Sequence, residues 1–144
     1  MDKFQLLKRY WGFSKFRPYQ QEIIDSLLEG KDVMGILPTG IGKSLCYQLP
    51  SLIMDGPVLV ISPLVALMID QVRQLGKQGI KSMYFENDLK GTPLQQQIEN
   101  SIYGNYKLIY CSPERFLNPI FLKQITLINF SLIALLSVQF LLIQ

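Results

Sequence analysis

Histidine is absent from this 144-residue chain. With it go every His-based metal site, every Ser-His or Cys-His catalytic pair and the common proton shuttle near neutral pH. Cysteine is scarce. Cys46 and Cys111 stand far apart, form no zinc spacing and read as two reduced intracellular thiols. Charge disappears after Lys123. The stretch from Ile125 to Ile143 is apolar, broken only by Thr126, Asn129, Ser131, Ser137 and Gln139. It is long enough to raise a membrane span, but no basic cluster follows it. Met1-Asp2-Lys3 leads into mixed polar sequence, so no signal peptide is expected. Repeats and low-complexity tracts are lacking too. Ten Gly and eight Pro, scattered singly, exclude a collagen-like or disordered chain.

What is present is a single-domain length with 49% hydrophobic residues, enough for a real core. The net charge of +3 is modest. Its distribution is uneven: Lys3, Lys8, Arg9, Lys15 and Arg17 face one acid, Asp2, within the first twenty residues. Such a cluster attracts phosphates or forms a solvated helix face.

Strands and helices alternate along the chain. Phe4, Leu7 and Trp11 share one side of a helix over 2–10. Pro18 opens a second helix with Ile23, Ile24, Leu27 and Leu28 as its stripe and Gly30 as its stop. Residues 32–37 read as a buried strand, and a helix is expected from Lys43 to about Met54. Residues 57–61, 79–85, 107–110 and 130–136 read as further strands. Ser62-Pro63 is expected to cap a helix running to about Lys77, and Ser112-Pro113 to cap another. Thr92-Pro93-Leu94-Gln95 resembles a capping box for a helix ending at Tyr103. This alternation predicts a parallel sheet covered on both faces. In such a sheet the apolar run 130–136 is an interior strand rather than a membrane segment.

Thr39-Gly40-Ile41-Gly42-Lys43-Ser44 lies between a predicted strand and a predicted helix, the setting a phosphate loop requires. Gly40 and Gly42 let backbone N–H groups converge on an anion, and the helix start adds its own unpaired N–H groups. Lys43 would reach the β and γ phosphates, and Ser44 would ligate Mg²⁺ through its hydroxyl. The full pattern wants Gly where Leu37 stands.

Here the sequence resembles the RecQ family of DNA helicases. The resemblance rests on Trp11-Gly12-Phe13-Ser14-Lys15-Phe16-Arg17-Pro18-Tyr19-Gln20, on residues 37–50, on 61–72 and on Tyr110-Cys111-Ser112-Pro113-Glu114-Arg115-Phe116. Family members do not carry Gly at the Leu37 position, and usually carry Gly where Ile41 stands. The resemblance implies a three-layer α/β, RecA-like P-loop domain with a mostly parallel sheet. It divides the chain into N-terminal helices with an adenine-reading motif (1–30), a partial ATP-binding domain (31–134) and an apolar tail outside the family pattern (135–144).

It also implies roles. Gln20, helped by Arg17, would read the adenine edge, since an amide both donates and accepts. Thr39, Gly40, Ile41, Gly42, Lys43 and Ser44 would hold ATP with Mg²⁺. Ser62 with Pro63 and Ser112 with Pro113 would start helices whose free backbone N–H groups face the phosphates of single-stranded or partly duplex DNA, with plain helix capping as the alternative. Arg115 would contact a phosphate or pair with Glu114. The family moves along DNA from three-prime to five-prime by hydrolysing ATP. It acts in the cytoplasm, at the nucleoid of a bacterium, or in a nucleus, and without a membrane partner.

After Ala134 the agreement stops within one residue. The family's Asp-Glu-Ala-His gives way to Leu136, Ser137, Val138 and Gln139, so the carboxylates that would anchor Mg²⁺ and activate water are missing. The family's second RecA-like domain with its arginine fingers is not expected within these 144 residues. A frameshift with an early stop gives such a pattern. The sequence therefore predicts nucleotide binding without rapid turnover. The rival is a non-catalytic nucleotide- or nucleic-acid-binding module. The uncharged run after Val138 is expected to favour aggregation unless it folds back as a cap.

Overall fold

The computed structural model describes residues 1–37, 42–86, 93–136 and 140–143, and of residues 140–142 the backbone alone. The chain opens on α1 (Lys3–Leu6), which widens into a π-helical turn over Leu7–Trp11. Asp2 caps it, accepting from the Gln5 backbone N–H at 2.8 Å, while the Gln5 side chain accepts in return from the Asp2 N–H at 2.9 Å. Lys3 pairs with Asp25, which ties this first helix to α2 (Pro18–Leu28). Pro18 sits in the first turn of α2, where its missing N–H costs nothing. Gly30 adopts φ +83° just beyond its end, a left-handed stop that a side chain would strain.

The remaining elements are β1 (Val33–Ile36), α3 (Leu45–Gln48), β2 (Val58–Ile61), α4 (Val65–Lys77), β3 (Ser82–Tyr84), α5 (Leu94–Tyr103), β4 (Leu108–Cys111), α6 (Pro119–Ile125), β5 (Leu132–Leu136) and β6 (Phe140–Ile143). All six strands form one sheet, ordered β1-β6-β5-β2-β4-β3. Four of them, β5, β2, β4 and β3, run parallel, with Ile61 opposite both Leu135 and Cys111. By contrast β6 is antiparallel to both its neighbours, pairing Leu136 with Leu141 on one side and Val33 with Ile143 on the other.

Side-chain alternation divides the core between the two faces of the sheet. On one face Val58, Val60, Leu108, Tyr110, Leu132, Ala134 and Ile143 pack against Ile23 and Leu27 of α2, Cys46 and Tyr47 of α3, and Met68 and Leu75 of α4. On the other, Leu59, Ile109 and Cys111 meet Ile98 of α5 and Phe121 and Ile125 of α6, with Phe85 set edge-on to Phe121. This is the three-layer α/β arrangement with a mostly parallel sheet. Among the described residues no helix is long and apolar enough to cross a membrane. The uncharged stretch becomes the end of α6 and two sheet strands.

Three expectations need correction. The helix expected over 43–54 stops at Gln48 and is followed by a 3₁₀ turn at Pro50–Leu52, because Pro50 has no N–H to continue the α pattern. Ser62 is not the cap of α4, which starts at Val65 behind an extended Leu64. Its N–H is still held by the Cys111 carbonyl at 3.0 Å, so it remains part of the sheet. Ser112 opens a 3₁₀ turn, Pro113–Leu117, without a side-chain cap bond. The cap lies further on, where the Asn118 side-chain amide oxygen accepts from the backbone N–H groups of Ile120 and Phe121 at the start of α6. In the Thr92-Pro93-Leu94-Gln95 box, Thr92 lies outside the described residues, and α5 follows Pro93 directly.

Candidate nucleotide and nucleic-acid site

β1 is antiparallel to β6, which is antiparallel to β5, so β1 points the same way as the four parallel strands. The carboxyl ends of β1, β2, β4 and β5 therefore lie along one edge of the sheet. The segment 38–44 leaves from β1 there, Ser62-Pro63 from β2, Ser112-Pro113 from β4, and Leu136 closes β5. In open α/β sheets this edge is where ligands bind.

Of the predicted phosphate loop, Thr39, Gly40 and Ile41 lie outside the described residues. Gly42 has φ +80°, a conformation a side chain would resist. Lys43 and Ser44 follow it, both half-buried, and their carbonyls start α3 by accepting from Cys46 and Gln48 at 3.0 Å. Among the described residues neither the Lys43 ammonium nor the Ser44 hydroxyl has a partner.

The structure brings Gln20 to this loop. Its side-chain N–H donates to the Gly42 carbonyl at 3.0 Å, and its amide oxygen accepts from the Arg17 backbone N–H at 2.9 Å. A Cβ at Gly42 would stand 2.5 Å from the Gln20 amide nitrogen. The backbone conformation favours glycine here, and a side chain would also push the Gln20 amide aside. Arg17 is exposed, its guanidinium 3.5 Å from the Tyr19 hydroxyl.

On the predicted nucleic-acid side, Ser62 is buried and its hydroxyl accepts from the Leu64 N–H at 3.2 Å, so only Pro63 and the residues after it reach solvent. Ser112 and Arg115 are half-buried, and Pro113 is exposed. Arg115 does not pair with Glu114: its guanidinium donates to the Glu86 carbonyl. Between these segments lies a cavity of about 700 Å³, bounded by Val65, Met68, Tyr84, Phe85, Ser112 and Arg115.

At the end of β5, Leu136 is a half-buried hydrocarbon packed on the core; Ser137, Val138 and Gln139 lie outside the described residues. Among the described residues no group of three or more His, Cys, Asp or Glu side chains could hold a metal. Burial pushes both thiols up to about 12, so Cys46 and Cys111 are packing groups rather than nucleophiles.

Sequence reasoning missed one cluster. The hydroxyls of Tyr47 and Tyr110 both donate to the Gln71 amide oxygen, at 2.7 and 2.8 Å, and the Gln48 amide donates to the Tyr110 oxygen at 3.3 Å. The only signal was polar atoms at positions whose periodicity asked for hydrocarbon.

With this geometry in place, the comparisons with known proteins are informative. The model of the DEAD/DEAH box helicase family matches residues 17–136. The probable ATP-dependent DNA helicase RecS of Bacillus subtilis is 44% identical over 128 residues, 89% of this chain and 26% of its own length. The ATP-dependent DNA helicase RecQ of Haemophilus influenzae is 42% identical over 135 residues, 93% of this chain and 21% of its own. The ATP-dependent helicase SGS1 of Saccharomyces cerevisiae is 44% identical over 103 residues, 69% of this chain and 7% of its own. The chain spans at most about a quarter of the length of these relatives.

Proposed function

The chain belongs to the DEAD/DEAH box helicase family, and from that premise we propose that it is the nucleotide-binding segment of a RecQ-type ATP-dependent DNA helicase. The observation that carries this reading is the convergence of four strand ends on one sheet edge, with Gln20 bonded to Gly42. ATP takes its place there: the backbone of 39–44 and the Lys43 ammonium meet the phosphates, and Gln20 with Arg17 meets the base. Gln20 must then exchange at least one of its present bonds for the adenine edge, because both ends of its amide are occupied.

Mg²⁺, when bound with the nucleotide, would supply charge neutralisation at the phosphates. Ser44 is the hydroxyl this chain offers it. Leu136 offers no ligand and cannot activate water, so binding without rapid hydrolysis is expected. Pro63, Pro113 and the backbone around them face a nucleic-acid strand, an interaction sensitive to salt and nearly blind to sequence. The protein works where DNA is, at a nucleoid or in a nucleus. The non-catalytic module remains the second reading, favoured by Leu136.

Titration of a labelled ATP analogue against wild type and Lys43→Ala tests the proposal. Losing a charge-assisted contact to phosphate should cost about 1.5–3 kcal/mol, roughly tenfold to a hundredfold in Kd. Equal affinities overturn it. Steady-state turnover with single-stranded DNA separates the two readings. Turnover of about one per second or faster, at the low end of ordinary enzymes and lost in Lys43→Ala, refutes the non-catalytic one.

A further inference from the structure

Three elements of the proposed site meet at a single side-chain oxygen. Tyr47 lies on α3, three residues after Ser44, and is 1% exposed. Tyr110 lies on β4, two residues before Ser112, and is 0% exposed. Gln71 projects from α4, the helix that follows Ser62-Pro63. The amide oxygen of Gln71 accepts one hydrogen bond from each phenol, so both of its lone pairs are used. Gln48, also on α3, donates to the Tyr110 oxygen and closes the cluster. Burial holds the Tyr47 and Tyr110 hydroxyls well above the ordinary phenol range, so both remain protonated donors.

The surroundings are hydrocarbon: Met68, Leu75, Val60 and Leu108 belong to the same core. Leucine and phenylalanine would pack this volume without leaving polar atoms to satisfy. A pair of buried phenols sharing one acceptor in such a place fixes one relative position of its elements, because any slip leaves a buried hydroxyl unpaired. Here the fixed elements are the helix behind the phosphate loop, the helix behind one nucleic-acid segment and the strand leading to the other.

We propose that Gln71 is a positioning residue that couples nucleotide occupancy at Lys43 and Ser44 to nucleic-acid contact at Pro63 and Pro113. The inference rests on the functional reading above and deepens it. When α3 shifts toward bound phosphates, the two phenol bonds either carry α4 and β4 with it or break. Such coupling is reciprocal: a nucleic-acid strand that holds α4 and β4 in the shifted position tightens the nucleotide by the same factor.

The experiment uses the 144-residue chain, a labelled non-hydrolysable ATP analogue with Mg²⁺, and an oligo-dT strand. Analogue affinity is measured with and without the strand. In wild type the strand should tighten the analogue by about tenfold. In Gln71→Leu the ratio should fall to about one, while strand-free affinity stays within about threefold. Gln71→Glu keeps an acceptor oxygen for both phenols and should restore the ratio. Tyr110→Phe deletes one hydroxyl without changing the packing volume, and should give an intermediate ratio should Gln71→Leu fail to fold.

A ratio that persists in Gln71→Leu or Tyr110→Phe overturns the inference. So does a loss that follows thermal stability alone and is not restored by Gln71→Glu. Wild type that binds both ligands without coupling overturns this inference and leaves the functional reading standing. Wild type that binds neither overturns both.

Discussion

The two halves of the sheet are built differently. In the half formed by β5, β2, β4 and β3, every strand is parallel to its neighbour and helices lie on both faces. Leu59 at its centre is 3% exposed. In the other half, β6 turns back from β5 and is the sheet partner that holds β1. On the face it shares with Leu59, Met34 is 66% and Ile36 79% exposed. The helix-covered half carries the proposed nucleic-acid segments, whereas the half-bare flank leads to the proposed phosphate loop. The proposed nucleotide site therefore depends on the less protected part of the molecule. Specifically it depends on residues 140–143, which lie beyond the 17–136 span matching the helicase family.

Breaking β6 should do the most damage. Ile143 is fully buried, its side chain in the core between the β1 and β5 registers. Ile143→Asp places an unpaired carboxylate there and should cost about 4 kcal/mol. Urea denaturation measures the loss, and the ATP analogue should no longer bind. This reverses the expectation that the tail is the aggregation hazard. With both edges of β6 hydrogen-bonded, a chain ending at Leu136 should be the less soluble one, since it leaves β1 without a sheet partner. If the shortened chain is as soluble and stable as the full one, β1 does not rely on β6, and the contrast between the halves is wrong.

Gly42→Ala tests the flank at its functional end. The left-handed backbone would cost about 1–2 kcal/mol, and the new Cβ would displace the Gln20 amide. Nucleotide affinity should fall together with stability, while contacts made by the helix-covered half are unchanged. Retained affinity would mean that the bond between Gln20 and Gly42 is not what shapes the loop.

These contrasts show what could be read from sequence and why. The parallel half was legible because β2 and β4 are short apolar runs, each followed by turn residues and a helix. Residues 57–61 and 107–110 became β2 and β4 within one residue at each end. The Ser-Pro signals misled, because Ser62 serves the sheet instead of a helix. An Asn-Pro pair, Asn118-Pro119, supplied the cap that was missed. The role of β6 was illegible for a different reason. Antiparallel insertion between β5 and β1 is a long-range pairing, and local periodicity reports only that a segment could be a strand. The Gln20–Gly42 bond spans 22 positions, so it too was hidden; the sequence marked both residues without showing that they touch.

Alkaline pH addresses the helix-covered half. Cys46 and Cys111 are raised from 9.0 to about 12 by burial. Both are neutral when protonated, so the folded state keeps the proton that the unfolded chain gives up. Their contribution is complete below pH about 9 and is lost as pH rises toward about 12, at up to about 1.4 kcal/mol per pH unit for each thiol. Tyr47 and Tyr110, raised in the same direction, add to the loss above pH about 10. Thermal melts from neutral to strongly alkaline pH should slope downward from about pH 9. A Cys46→Val, Cys111→Val variant should postpone the fall. An unchanged slope would place the alkaline sensitivity elsewhere.

The smallest effect separates the two halves most cleanly. Ile36→Thr and Leu59→Thr each replace a four-carbon aliphatic side chain by threonine on the same face of one sheet. At Ile36, in the flank, most of the side chain already meets water. Little hydrophobic contribution is lost, and β-branched threonine suits a strand, so stability should move by less than about 0.5 kcal/mol while solubility improves. At Leu59, under α5 and α6, the same replacement removes buried methyl groups and buries a hydroxyl, so it should cost about 2–4 kcal/mol. Paired denaturation curves give the difference directly. If Ile36→Thr costs as much as Leu59→Thr, the flank is covered in solution, and the two halves of the sheet are protected alike.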